Sequence, residues 1–181
     1  MYESLLVKLA NALQKADIPY MVIGGQAVLR YGEPRLTQDI DITLGVDIDK
    51  LTTILALTHQ NGLHVEVGDP EAFVKKTNVL PVSDGATGIR IDLIFSFSPY
   101  EREAIRRAQP HPVNGHHVYY ASVEDIIIHK VVAGRPRDLD DVRGIIARNP
   151  VYDSVYVREW LTSFGNIFST DLLARLKGIS S

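Results

Sequence analysis

Hydrophobic and polar positions along the chain repeat with two periods, one typical of helices and one typical of strands. Leu6, Leu9 and Leu13 recur at three- and four-residue spacing, which predicts an amphipathic helix over 3–16. Over 39–44 apolar and polar residues alternate, which predicts a half-buried strand. The other predicted strands are 20–23, 63–67, 77–82, 89–95 and 116–120. The other predicted helices are 26–31, 48–60, 99–108, 122–133, 139–148, 154–164 and 169–177.

This order of elements predicts an α/β (α+β) fold: a small mixed β-sheet flanked by helices, with a helical C-terminal tail. A turn-rich segment at 83–88 makes the strands on either side of it a candidate antiparallel hairpin. Asn149-Pro150 is the predicted domain boundary. We therefore expect one domain over 1–149 and a helical C-terminal extension over 150–181.

Composition narrows the function classes. A chain of 181 residues with 45% hydrophobic residues is long enough for one domain with a substantial core. No apolar run approaches the roughly 20 residues of a membrane span, and no secretory signal begins the chain, so we expect no membrane partner and a cytoplasmic location. The absence of cysteine excludes disulfides and thiol chemistry. A formal charge of −3 argues against strong non-specific nucleic-acid binding.

Two carboxylates stand on the predicted strand over 39–44. Alternation places Asp39 and Asp41 on one face, with Ile40 and Ile42 on the other. Like charges this close repel each other unless a cation lies between them. Hard oxygen ligands of this kind suit Mg²⁺. The pattern favours a metal site, although two exposed charges on an edge strand are the alternative.

A third carboxylate lies on the predicted strand over 89–95. Ile91 and Leu93 would face the core, while Arg90 and Asp92 would share the opposite face. If this strand neighbours the first, three carboxylates converge, as two-metal phosphoryl transfer requires. Asp92 would then take the proton of an acceptor hydroxyl. In the alternative interpretation Asp92 simply pairs with Arg90 or another cation.

Gly24-Gly25 separates a short apolar strand from a helix. Glycines tolerate positive φ, so the pair could be only a tight turn. A glycine turn that opens a helix also leaves free backbone N–H groups, which favour a triphosphate. No Gly-Lys-Ser/Thr follows, so this is not a P-loop. We expect the backbone from Gly24 to Gln26 to hold phosphates.

Lys130 lies within an apolar helix, Ile126 to Val132. A lysine there either extends to water or meets an anion. Asp138 and Asp141, further along, are expected to cap a helix and to pair with Arg135 and Arg137 rather than to bind metal.

Taken together, these motifs resemble the DNA polymerase β-like nucleotidyltransferase superfamily. The residues that carry the resemblance are Gly24-Gly25, Arg35-x-Thr37-x-Asp39-x-Asp41 and Asp92. The segments Glu124–Lys130 and Ala133–Val142 are similar to the AbiEii-type branch, some of whose members are toxins of abortive-infection or toxin–antitoxin systems. The resemblance spans roughly 1–148. Many members of the superfamily carry Gly-Ser where this chain has Gly24-Gly25.

The resemblance implies a nucleotidyltransferase-like domain and a Mg²⁺-dependent transferase that uses a nucleoside triphosphate (NTP). It implies two Mg²⁺ ions, held by Asp39, Asp41 and Asp92. It implies nucleotide binding by Gly24, Gly25, Gln26 and Lys130. The acceptor would be RNA, a protein or a small molecule, and an antitoxin protein would be a possible partner. The alternative is a catalytically inactive module that binds a nucleotide or a partner.

Overall fold

The alternating segments form one mixed sheet of seven strands in the computed structural model, which describes residues 1–180. The strands are β1 (Tyr20–Ile23), β2 (Asp39–Leu44), β3 (Leu63–Val65), β4 (Val79–Asp84), β5 (Arg90–Phe95), β6 (Gln109–Val113) and β7 (His116–Tyr120). Their order is β3-β4-β5-β2-β1-β7-β6. β2 runs parallel to β5 and β1 parallel to β7, whereas the other neighbours are antiparallel. The predicted fold class is confirmed.

Helices precede, separate and follow the strands. They are α1 (Tyr2–Lys15), α2 (Gly24–Tyr31), α3 (Leu51–Gln60), α4 (Pro70–Thr77), α5 (Pro99–Arg106), α6 (Val123–Ala133), α7 (Pro136–Arg148), α8 (Ser154–Phe168) and α9 (Leu172–Ser180). A short 3-10 turn, Ile48–Lys50, leads into α3. No helix within the described 1–180 is long and apolar enough to cross a membrane.

Two compact units make up the chain. The sheet unit comprises Met1–Gln26 and Thr37–Ala121 and contains every strand given above. The helical unit comprises Ala27–Leu36 and Ser122–Ser181 and contains α6 to α9. These units divide the chain differently from the predicted boundary at residue 149, and the functional division into a domain and an extension stays a prediction.

Each unit has its own apolar core. In the sheet unit β2 and β5 lie side by side, and Ile40, Ile42, Ile91 and Leu93 are at most 1% exposed. In the helical unit α6 packs against α7, α8 and α9. The apolar run Ile126–Ile128 on α6 is fully buried, since three other helices cover these consecutive positions.

One helix and one strand lie outside the sequence prediction. Helix α4 begins at Pro70, where Asp69 accepts a hydrogen bond from the backbone N of Ala72 at 3.0 Å, so an aspartate cap and a proline start the helix. Strand β6 contains two prolines, so its sequence does not resemble a strand. It lies at the edge of the sheet, where proline is tolerated. Asn114 and Gly115, both at positive φ, form the turn to β7.

Helix α7 also begins earlier than predicted, at Pro136 rather than near residue 139. Proline fits the first helical turn because its missing N–H would be unpaired there in any case. Asp138 lies inside the helix and accepts a hydrogen bond from the backbone N of Arg135 at 3.3 Å. It therefore contributes to the cap from the third helical position.

Candidate active site

The alternation on β2 places its two carboxylates as the sequence predicts. Asp39 and Asp41 are half-buried, whereas Ile40 and Ile42, which alternate with them, are buried in the core. The Oγ1 of Thr37, which is itself buried, donates a hydrogen bond to Oδ1 of Asp39 at 3.2 Å. Thr37 was part of the family motif, but only the folded chain shows that it holds the Asp39 carboxylate.

The third carboxylate lies on the neighbouring strand. β2 and β5 pair in parallel, with Asp41 opposite Asp92 and Asp39 opposite Arg90. Directly paired residues of adjacent strands project to the same face, and the strands are about 4.8 Å apart. The register therefore brings Asp39, Asp41 and Asp92 onto one face of the sheet. This was the condition on which the three-carboxylate hypothesis depended.

Gly24 touches this carboxylate face. Its φ is +61°, and a Cβ built there would lie 1.9 Å from Oδ2 of Asp41. Two physical reasons thus demand glycine: the left-handed backbone and the closeness of Asp41. Gln26, two residues on, is buried, and its Nε2 lies 3.5 Å from the carbonyl oxygen of Asp39, at the outer limit of a hydrogen bond. The start of α2 therefore lies against the strand that carries the carboxylates.

Arg90 makes an ion pair with Asp92. Its Nε and Nη2 donate to Oδ1 at 3.2 and 3.1 Å, and Nη2 also donates to Oδ2 at 3.1 Å. The Arg90 side chain is 63% exposed and that of Asp92 is 19% exposed. The alternative interpretation of Asp92, pairing with Arg90, is thus the arrangement that the structure contains.

The three carboxylates suit Mg²⁺ by chemistry, and their strands place them on one face of the sheet. All are oxygen ligands on one face, and oxygen is the donor that Mg²⁺ prefers. Within residues 1–180, however, no three acidic or histidine side chains surround a common point as metal ligands do. The donor set therefore fits a divalent cation only after side-chain rotation, including release of Asp92 from Arg90.

Lys130, in the helical unit, lies between two carboxylates. Its Nζ is 2.8 Å from Oδ1 of Asp138 and 2.9 Å from Oδ2 of Asp141. Asp138 also accepts from Nε of Arg135 at 2.6 Å, and Asp141 lies 3.0 Å from Nε of Arg35. Asp138 therefore pairs with Arg135 as expected, whereas Asp141 pairs with Arg35, which is distant in sequence and was not the expected partner. Lys130 joins both aspartates. Its predicted contact with nucleotide phosphates stays a prediction.

Charge and burial act in opposite directions at Asp138. Burial raises the pKa of its carboxyl, but hydrogen bonds from Arg135 and Lys130 outweigh burial and leave the pKa below its usual value. The Asp138 carboxylate is therefore charged at neutral pH although its side chain is only 2% exposed.

Several solved structures share the fold of this chain. A nucleotidyltransferase-like antigenic protein from Paracoccidioides brasiliensis is 21% identical and superimposes with a TM-score of 0.60, covering 97% of this chain and 91% of that one. ANT(2'')-Ia, solved with adenylyl-2''-tobramycin, is 18% identical with a TM-score of 0.62, covering 92% and 98%. The lincosamide antibiotic adenylyltransferase LnuA, solved with lincomycin, is 13% identical with a TM-score of 0.53, covering 76% and 91%.

By sequence the chain matches no family model and no curated protein. At these low identities the structural likeness establishes a shared fold and leaves activity open. The sheet, the helices that flank it and the helical C-terminal part are those of a nucleotidyltransferase-like fold.

Proposed function

We propose that this protein transfers a nucleoside monophosphate from an NTP to an acceptor hydroxyl and releases pyrophosphate. The observation that carries the proposal is the register of β2 and β5, which puts Asp41 beside Asp92 with Asp39 on the same face. The shared fold with adenylyltransferases supports the same reaction class. Asp39, Asp41 and Asp92 would hold the two Mg²⁺ ions, which would neutralise the charge on the phosphates.

The residues of the chain have separate parts in this reaction. The acceptor oxygen forms a bond to the α-phosphorus, and the bond from that phosphorus to the pyrophosphate oxygen breaks. Asp92 takes the proton of the acceptor hydroxyl. Backbone N–H groups of Gly24, Gly25 and Gln26, at the start of α2, bind the triphosphate, because a helix N-terminus favours negative charge. Lys130 adds positive charge to the phosphates.

The acceptor belongs to one of three classes: RNA, a protein side chain or a small molecule. The AbiEii-type resemblance favours RNA or protein and a toxin of a toxin–antitoxin pair, with an antitoxin as partner. The antibiotic adenylyltransferases that share the fold favour a small hydroxyl-bearing antibiotic. All three classes offer a hydroxyl to the same carboxylate face.

The test incubates the protein with α-labelled NTPs, Mg²⁺ and, separately, total RNA, cell extract or an aminoglycoside. We expect label on one acceptor class, none after chelation of the metal, and none with Asp39→Asn or Asp41→Asn. Asp49→Asn, in which a 68% exposed side chain loses the same charge, is the matched control. NTP binding without transfer to any acceptor would contradict the proposal and indicate a binding module.

Asp92→Asn separates proton transfer from nucleotide binding. We expect NTP affinity to fall little and the transfer rate to fall by about 10²–10⁴-fold, the usual contribution of a general base. Titration of NTP binding and the rate with the acceptor found above measure the two effects. Wild-type turnover in this variant would exclude Asp92 from the reaction.

A further inference from the structure

Arg90 stands among the three carboxylates. Its register partner on β2 is Asp39, and Asp92 follows it by two residues on the same face of β5. Its guanidinium donates to both oxygens of Asp92, at 3.1 to 3.2 Å. A cation of the protein itself thus lies on the face where the proposed function requires a divalent ion.

This contact occupies the oxygens that a metal ion would need. A carboxylate whose two oxygens both accept from one guanidinium has fewer lone pairs available for a metal. A positive charge beside Asp39 and Asp92 also repels an incoming cation. The absence of an assembled three-ligand group within residues 1–180 agrees with an Asp92 that is turned toward Arg90.

We propose that Arg90 is a counter-cation that competes with the divalent metal: it holds Asp92 in the metal-free protein and releases it when the metal binds. The inference rests on the proposed function, because it concerns the metal site of the same reaction. Arg90 is a positioning residue that acts through Asp92. It neutralises part of the repulsion among Asp39, Asp41 and Asp92 while no metal is present.

The exposure of the pair sets the size of the effect. With a side chain 63% exposed, Arg90 can turn into water without losing solvation, and an ion pair of this kind contributes little to stability. The metal therefore displaces Arg90 readily. We expect removal of the Arg90 charge to tighten metal binding by roughly two- to tenfold rather than by orders of magnitude.

The experiment measures Mn²⁺ binding to the full chain without nucleotide, by the electron paramagnetic resonance signal of free Mn²⁺. Arg90→Gln should bind Mn²⁺ roughly two- to tenfold more tightly than the wild type. Arg90→Lys keeps the charge but loses the two-pronged contact, so its affinity should lie between the two. Arg106→Gln is the matched control: it removes an exposed arginine that pairs with Glu103 on α5, and its affinity should equal the wild type.

Thermal melts give a second readout that does not depend on activity. Without metal, Arg90→Gln should melt at or below the wild-type temperature, because the carboxylates lose their counter-charge. With saturating Mn²⁺ its upward shift in Tm should exceed the wild-type shift, since tighter binding stabilises the folded state more. Far-UV circular dichroism establishes that each variant is folded. If Arg90→Gln does not fold, the comparison is made between Arg90→Lys and the wild type.

The outcomes separate this inference from the proposed function. If Arg90→Gln binds Mn²⁺ as weakly as the wild type or more weakly, the competition is overturned. The proposed function would still stand in that case if the wild-type protein binds Mn²⁺ and Asp41→Asn does not. Binding in Arg90→Gln but not in the wild type supports the competition. Absence of binding in both proteins overturns the competition and the metal site together.

Discussion

At the scale of single residues, the surroundings of Asp41 come from two other parts of the chain, the end of β1 with its turn and strand β5. Ile23 on β1 and Asp92 on β5 are its register partners, and Gly24 lies against its carboxylate. The two strand partners follow from hydrogen-bonded pairing, whereas the Gly24 contact follows from the turn between β1 and α2. One carboxylate thereby joins the glycine turn to the strand pair that carries the site.

Gly24→Ala should damage both the fold and the reaction. The new methyl group must occupy space within 1.9 Å of Oδ2 of Asp41, at a backbone φ of +61°. Gly88→Ala is the matched control, because Gly88 has a φ of +69° and a Cβ there would meet no atom within 4 Å apart from its chain neighbours. We expect about 1–2 kcal/mol of destabilisation in the control and roughly 1–3 kcal/mol more in Gly24→Ala. Urea unfolding measures both, and equal losses would show that the Asp41 contact relaxes without cost.

At the scale of elements, one ion pair connects α1 to the hairpin of β4 and β5. Nζ of Lys8 is 2.8 Å from Oδ1 of Asp84, whose side chain is 4% exposed. Oδ2 of Asp84 accepts from the backbone N and the hydroxyl of Thr87, in the turn between the strands. Asp84 therefore stabilises the hairpin turn and its attachment to α1 together.

The stability of the protein should depend on pH through Asp84. The hydrogen bond from Lys8 lowers the pKa of Asp84, and the Thr87 hydrogen bonds also lower it, whereas burial raises it. Because the folded-state pKa lies below the unfolded value of about 3.9, the charged carboxylate stabilises the protein above that pH and less as pH falls through the folded pKa. Asp84→Asn should cost about 1–3 kcal/mol at pH 7 and less near pH 3.

Urea unfolding at the two pH values tests this dependence on Asp84. The control is Asp49→Asn, which removes the same charge from a side chain that is 68% exposed. Asp49→Asn should change the free energy of unfolding little at either pH. A cost of Asp84→Asn that does not change with pH would assign its effect to packing instead of charge.

Helices α6 and α7 are connected by the buried charges around Lys130. Lys130→Met removes one cation from beside Asp138 and Asp141. Breaking a buried ion pair in this way lowers the free energy of unfolding by about 3–5 kcal/mol. Lys50→Met, at a side chain 56% exposed, should cost little. Chemical denaturation measures both. Calorimetry on the folded Lys130→Met variant then tests its second predicted role: unchanged triphosphate affinity would make Lys130 purely structural.

At the scale of the whole molecule, the helical unit includes elements on both sides of the predicted boundary at residue 149. Within it, the Tyr156 hydroxyl on α8 donates to Oδ1 of the buried Asp125 on α6 at 2.9 Å. Nη1 of Arg175 on α9 donates to the carbonyl of Val131 at 2.7 Å, near the end of α6. The C-terminal helices therefore complete the packing and the hydrogen bonding of α6.

A chain that ends at residue 149 should fold poorly. It retains the apolar α6 but lacks Val157, Leu161 and Leu172, which are at most 2% exposed in the intact helical unit. The exposed apolar surface should bind a hydrophobic dye, and the melting transition should broaden and fall to lower temperature. A truncated chain that melts like the full chain would instead support a separable extension over 150–181.

Local pattern alone determined most elements. Alternation over 39–44 specified the two faces of β2, since the side-chain period of a strand is two residues. The turn residues at 83–88 specified the antiparallel pairing of β4 and β5, because a short turn returns the chain beside itself. Helix α4 and strand β6 escaped prediction because a proline start and a proline-containing edge strand resemble loop sequence.

The candidate site was named from the sequence but arranged by the tertiary structure. Asp39, Asp41 and Asp92 were identified by residue type and alternation, and these are local properties. That β5 lies beside β2 with Asp92 opposite Asp41 was decided by sheet packing, which depends on the whole core. The Arg90–Asp92 pair joins residues two apart on one strand, so alternation already offered it as one of two interpretations. The partners of Lys130 were instead decided by the fold, because an ion pair between two helices depends on which charged groups their packing brings together, and hydrophobic period carries no information about that.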